Sequence, residues 1–335
     1  MKMRLLGRTG VQVSDLCLGC MMFGGRTEPE ESYRIIDRAL DAGINFLDTA
    51  NVYSRGRSEE VVGEALKRNG KRDRIILATK VHGEMADGDP NMQGNSRRHI
   101  IQQCDASLKR LKTDYIDVYQ IHRPQSDIPI DETLRVLDDL VHAGKVRYVG
   151  TSTYAAWQVI ESLWVSERLG LNRFVTEQPP YNLLDRRIER ELLPACRTYG
   201  IAVLPWSPIA GGILSGKYTR QNPKPAEGRY SNVDDNPRMK NRVNNSIWDI
   251  VEGLTEMARK KGVTLSQFAL AWVRDQPGVT SAIIGPRTME QLEDNLKVSG
   301  ITFTQAELAA IDALSAPGSS VSPFYEADFG PHLFR

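Results

Sequence analysis

Residues 44–66 read INFLDTANVYSRGRSEEVVGEAL and residues 74–80 read RIILATK, and these two segments decide the fold. A short apolar run from Ile44 to Leu47 stops at Asp48, and a second, from Ile75 to Ala78, stops at Lys80. Between them Val61, Val62, Ala65 and Leu66 have helical spacing, and Tyr53 sits in the loop before that helix. Strand, loop, helix and strand make a βαβ unit, whose right-handed crossover leaves the two strands parallel. Asp48 and Lys80 therefore fall at the same end of their strands, with Tyr53 in the loop above them. A phenol beside an ammonium and a carboxylate is a device for making tyrosine a usable acid. An unperturbed phenol titrates near roughly 10, and an adjacent cation stabilises the phenolate.

Outward from this unit the pattern repeats. Residues 3–13 (MRLLGRTGVQV) predict a β-hairpin turning at Gly7 to Gly10, and Leu16 to Gly19 is the first candidate barrel strand. Thr27-Glu28-Pro29-Glu30 has the spacing of a capping box, opening a helix with Ile36, Ala39 and Leu40 on one face and Gly43 at its end. Helix, glycine and apolar strand recur at Gly144, Gly170 and Gly200, whereas Gly262 leads into another helix. Apolar runs predict strands near 16–19, 44–47, 75–79, 116–120, 146–150, 174–177, 201–205 and 281–284, with helical patterns between them. Repeated βα units without a composition break indicate one α/β domain over 1–335: a (β/α)8 TIM barrel over about 14–300, then a C-terminal helix and tail over 301–335. A doubly wound sheet is the competing architecture, but no G-x-G-x-x-G fingerprint follows any strand.

In a barrel the residues after each strand share one rim, where active sites are built. Here they are Asp48, Lys80, His122, Ser152, Gln178 and Trp206, with Gly285-Pro286-Arg287 after the last strand. Singly, each has an ordinary reading: an ion pair, a core histidine, a core tryptophan. Their shared placement favours a site.

Composition excludes several classes. A formal net charge of +1 gives no reason to expect nucleic acid or an anionic membrane as partner. No apolar run approaches the roughly 20 residues of a membrane span, and MKMRLLGRTG lacks a signal peptide's apolar stretch. A soluble cytoplasmic protein is expected. Cys17 and Cys20 spell C-x-x-C, but residues three apart on a strand face opposite ways, and no second pair completes a zinc site. His82, His99, His142 and His332 show no ligand spacing, so no metal is expected. Gly211 to Lys217 fits G-x-x-x-x-G-K, yet Tyr218 stands where a P-loop needs Ser or Thr. Such a glycine-rich loop can still cradle a pyrophosphate. Thr288 is placed to cap a helix, which would set Arg287 and free amides toward a phosphate.

The segments LDTANVYSRGRSEEVVGEAL, ILATK, DVYQIHRP, VGTSTY, FVTEQPPYN, LPWSPIAGGILSGKY and IIGPRTMEQLEDN together resemble the aldo-keto reductase superfamily, in its bacterial branch similar to potassium-channel β subunits. The resemblance implies the same barrel and NADPH (NADP⁺) as cofactor. It makes Tyr53 the proton donor, Lys80 and Asp48 its tuning pair, and His122 the residue orienting a substrate carbonyl. Ser152, Thr153 and Gln178 would meet the nicotinamide carboxamide and Trp206 its ring, with Gly19, Cys20 and Met21 nearby. Ser207, Pro208, Ile209, Ala210, Gly211, Lys217 and Arg229 would line the pyrophosphate and 2′-phosphate side; Gly285, Arg287, Gln291, Asp294 and Asn295 would surround the adenosine. Two positions depart from the pattern: Thr153 stands where many relatives have asparagine, and Asp294 replaces a commoner glutamate.

The implied activity is reduction of aldehydes or ketones to alcohols, of the alcohol dehydrogenase or carbonyl reductase type, on a small-molecule substrate. The alternative is a redox-sensing regulatory protein that binds NADPH and turns over slowly. Residues 82–95 and 218–245 are expected as long rim loops, and the tail with Phe324, Tyr325, Phe329 and Phe334 either walls the substrate pocket or packs outside the barrel.

Overall fold

The computed structural model describes residues 1–226, 228–231 and 241–324. Its first elements are β1 (Met3–Leu5) and β2 (Gln12–Ser14), an antiparallel hairpin. Gly7 and Gly10 supply the positive φ values, 58° and 78°, that its turn requires. Eight further strands make one parallel sheet: β3 (Leu16–Gly19), β4 (Phe46–Asp48), β5 (Ile76–Val81), β6 (Ile116–Ile121), β7 (Val146–Ser152), β8 (Phe174–Gln178), β9 (Ala202–Val203) and β10 (Ala282–Ile284). Their order is the chain order, with β10 pairing back onto β3. The ring closes between β9 and β10, where the Thr280 amide donates to the Val203 carbonyl at 2.8 Å and the Ile283 amide to Pro205 at 2.9 Å. Sequential order and closure give the expected (β/α)8 fold and remove the doubly wound alternative.

Helices α1 (Pro29–Asp41), α2 (Arg57–Asn69), α3 (Arg97–Leu111), α4 (Ile130–His142), α5 (Ala156–Leu169) and α6 (Leu192–Tyr199) alternate with the strands. Gly70, Gly170 and Gly200 end α2, α5 and α6 in the left-handed conformation. Gly262 caps the helix Trp248–Lys261, and a second helix, Leu265–Asp275, follows behind a capping box at Thr264. No helix among the described residues is long and apolar enough to cross a membrane.

Two corrections concern local structure. The capping box at Thr27 does not form: Glu28 is the N-cap, with no side-chain cap bond, and Pro29 opens α1. The Thr27 hydroxyl donates instead to the Arg287 carbonyl at 3.1 Å, tying the start of α1 to the loop after β10. The strand expected over 201–205 shortens to Ala202–Val203, because Pro205 has no amide proton to continue the ladder.

Two apolar layers hold the barrel. The larger lies between strands and helices, with Leu18, Leu47, Leu77, Tyr119 and Val149 packed against Ile36, Val62, Ile100, Leu137 and Leu163. The smaller fills the interior: Leu6 and Val13 of the hairpin pack on Cys17, Phe46, Ala78, Val118, Ala202 and Ile283. Strand residues two apart share a face. Phe46 is therefore followed inward by Asp48, Ala78 by Lys80, and Val118 by Gln120 and then His122. The interior thus changes from apolar to polar along the strands, and the hairpin sits at the apolar end. That change sets where chemistry can occur.

The chain after the helix Gln305–Leu314 returns across the loop following β8. Val321 donates its amide to Leu184 at 2.9 Å and Phe324 donates to the Asp185 carboxylate at 2.9 Å. Tyr325, Phe329 and Phe334 lie outside the described residues, as do Glu227 and 232–240 of the expected rim loop.

Candidate active site

Asp48 ends β4 opposite Ala78 of β5, and Lys80, two residues further along β5 and so on the same face, lies one residue before that strand's end. Lys80 has no exposed surface. An ammonium has three protons and no acceptor, and Lys80 has three partners: Asp48 Oδ1 at 2.5 Å, the Thr49 carbonyl at 2.8 Å and the Tyr53 hydroxyl at 3.3 Å. Burial works against the charged form, but Asp48 and Tyr53 outweigh it and raise the Lys80 pKa. The second Asp48 oxygen accepts from the side-chain amides of Gln120 at 3.1 Å and Gln178 at 3.0 Å. The buried ion pair is therefore fully bonded, the condition under which such a pair is tolerated.

Tyr53 begins a short 3-10 turn, Tyr53–Gly56, in which Ser54 and Arg55 take φ values of 48° and 53°. Since Lys80 can only donate, the phenol oxygen accepts that bond and its own proton is directed elsewhere. His122 follows β6, and its ring meets Tyr53 edge-on at 5.6 Å. Burial, then the positive charges of Arg123, Lys80 and His82, hold the His122 pKa well below its usual range. A neutral imidazole and the Tyr53 phenol thus stand beside each other at the rim.

Ser152 and Gln178, the last residues of β7 and β8, are paired in register, and Ser152 Oγ donates to the Gln178 carbonyl at 2.9 Å. Gln178 also reaches Asp48, so the site expected to meet a carboxamide is bonded directly to the ion pair. Thr153 is buried, and its hydroxyl accepts from Arg123 Nη1 at 2.9 Å. Trp206 is half-buried, bridged to Pro180, with Phe324 edge-on at 5.7 Å. Phe324 is fully buried under the Arg242 guanidinium, 4.2 Å from its ring centre. This one aromatic of the tail thus stands against the site's tryptophan.

The residues expected along a dinucleotide continue round the rim. Ser207, Ala210, Gly211 and Gly212 all take positive φ, from 52° to 108°, within the segment Ser207–Gly212. Pro208 is buried and Ile209 half-buried in the same segment. Lys217 is exposed and Arg229 half-buried. A side chain at Gly211 would collide with the Tyr230 hydroxyl. Gly285 has open space around it, and Thr288 caps the helix Met289–Leu296 as expected. Arg287 is half-buried there, and its amide donates to Gln291 Oε1 at 2.8 Å. Asn295 is half-buried on the same helix, and Asp294 accepts from Gln267 at 2.7 Å. Gly19 has a packing reason of its own, since a Cβ there would meet Ile283 at 2.7 Å. The Cys20 amide donates to the Asp48 carbonyl at 2.8 Å, and Met21 follows half-buried. Burial raises the thiol pKa of both Cys17 and Cys20, as for small core residues. The left-handed Ser207–Gly212 segment, the open surroundings of Gly285 and a capped helix with Arg287 beside it fit the phosphates of a nicotinamide dinucleotide.

Sequence reasoning missed Gln120, Glu177 and Arg123. Gln120 had a signal: it lies two residues before His122 and so shares its face. Glu177 and Arg123 had none, being next-door neighbours of the residues that drew attention.

The aldo/keto reductase family profile matches residues 15–316. An uncharacterized oxidoreductase of Bacillus subtilis, YrpG, is 37% identical over 97% of this chain and 99% of its own length. A probable voltage-gated potassium channel subunit beta of rice, Oryza sativa subsp. japonica, is 38% identical over 89% of this chain and 90% of its own. Versiconal hemiacetal acetate reductase of Aspergillus parasiticus is 35% identical over 93% of this chain and 96% of its own.

Proposed function

The chain belongs to the aldo/keto reductase family, and on that premise we propose that it reduces aldehydes or ketones to alcohols with NADPH, Tyr53 being the proton donor. The observation that carries this reading is the direction of the Lys80–Tyr53 bond, which leaves the phenol proton available to a substrate oxygen. A nicotinamide held there would supply the hydride. Tyr53 donates its proton as negative charge develops on the carbonyl oxygen, and Lys80 stabilises the phenolate left behind. Neutral His122 donates a hydrogen bond to the same oxygen and fixes its approach. General acid catalysis of this kind contributes about 10²–10⁴-fold. Ser152 and Gln178 would orient the carboxamide, Trp206 would lie against the ring, and Lys217, Arg229 and Arg287 would meet the adenosine phosphates. NADPH consumption across a panel of aldehydes, ketones and sugars tests the proposal; no turnover on any of them would reject it.

A second reading has one specific support, the identity to a protein named as a probable channel β subunit. In that reading the same site binds NADPH as a redox signal. A single slow turnover with retained NADP⁺ would favour it over rapid multiple turnover.

A further inference from the structure

Glu177 takes no part in the proton transfer described above, yet it is fully buried one residue before Gln178. Neighbours on a strand face opposite ways. Gln178 reaches Asp48 inside the barrel, and Glu177 meets the end of β7 and the turn that leaves it. Thr151 Oγ1 lies 2.5 Å from its Oε2, and the Tyr154 amide donates to its Oε1 at 3.1 Å. Between those contacts Thr153 takes φ of 62°, a region that β-branched residues rarely occupy. Arg123 holds the turn from the other side, its Nη1 donating to Thr153 Oγ1 at 2.9 Å and to Ser152 Oγ at 3.4 Å. Strained backbone of this kind persists only where its surroundings over-determine it.

We propose that Glu177 is a positioning residue for the nicotinamide carboxamide, acting through the Thr153 turn that presents Ser152, with Arg123 as the opposing grip. This rests on the cofactor reading above. The charged or titratable groups facing Glu177 are Arg123 from the end of β6, Tyr154 in the turn and Cys196 on α6. Burial pushes the Glu177 carboxyl up to about 8, against opposing hydrogen bonds and the Arg123 charge. Either protonation state is bonded. As an acid, Glu177 donates to Thr151 Oγ1, whose own proton goes to the Thr176 carbonyl at 3.2 Å; ionised, it accepts from Thr151. The grip on the turn therefore survives across neutral pH.

The test compares wild type, Glu177→Gln and Glu177→Leu by fluorescence titration with NADPH and with its 3-acetylpyridine analogue, which lacks the carboxamide N–H groups. Wild type and Glu177→Gln, whose amide reproduces the protonated acid's bonds, should bind NADPH at least about tenfold more tightly than the analogue. Glu177→Leu should narrow that ratio to within about twofold while keeping its affinity for the analogue. Its Thr153 and Tyr154 amides should exchange faster without any cofactor present. An unchanged ratio in a folded Glu177→Leu protein overturns the proposal and leaves the cofactor reading standing. A wild type that binds neither dinucleotide overturns both. If Glu177→Leu does not fold, the near-isosteric Thr151→Val must narrow the ratio, and an unchanged ratio there overturns the proposal.

Discussion

The Lys80 ammonium stands 3.3 Å from the Tyr53 hydroxyl, and their bond can run only from lysine to tyrosine. The phenol oxygen thus accepts from the ion pair's lysine, and its own proton is left for another partner. Each prediction about the chemistry starts from that polarity.

Tyr53→Phe removes one oxygen and leaves the ring packed edge-on against His122. The protein should fold and bind NADPH, while carbonyl reduction falls at least about a hundredfold. Stopped-flow reduction with fluorescence titration separates the two effects. A variant that binds NADPH and keeps most of its kcat would shift the acid's role to His122.

Lys80→Met should show a comparable loss, because the phenolate formed on proton transfer then has no cation beside it. The change also leaves Asp48 a buried carboxylate without its ammonium, so the melting temperature should fall. Lysine acts on the reaction through tyrosine. The double variant should therefore match Tyr53→Phe alone in kcat/KM, and additive losses would contradict this route.

Acid should destabilise the protein through His122. Its folded-state pKa lies well below the unfolded value of 6.5, burial being the first cause. The neutral ring's stabilising contribution is complete above that unfolded value and is lost as pH falls from there toward the folded value. Burial shifts His82 and His99 the same way. Melting temperature followed from about pH 7.5 to about pH 5 should decline for wild type and decline less for His122→Asn. Parallel curves would remove His122 from the account.

Arg287 tests cofactor choice. It precedes Thr288, the N-cap of the helix Met289–Leu296, and is half-buried there. A charge-assisted bond to a 2′-phosphate is worth roughly 1.5–3 kcal/mol. Arg287→Ala should therefore weaken NADPH binding by about tenfold or more and change NADH binding little. Equal affinity of wild type for both cofactors would reject the assignment.

Much of this protein is local and was legible in its sequence. Alternating apolar strands, glycine-capped helices and polar strand ends are set by neighbours a few residues apart, so they predicted the barrel and the rim carrying Asp48, Lys80 and His122. The loop position of Tyr53 followed from the same unit. Tertiary structure decided what those residues touch. The Asp48 carboxylate is completed by Gln178, 130 residues away, and by Gln120, 72 residues away. Sheet register and barrel closure set those meetings, and neither leaves a periodic trace. Thr27 satisfied a capping pattern locally and was taken by a carbonyl 260 residues distant. Thr153 departs from the family pattern, and only the fold showed that its hydroxyl is engaged by Arg123 and its turn bonded to Glu177. Periodicity records which face a side chain takes; its partners depend on strands brought together from across the chain.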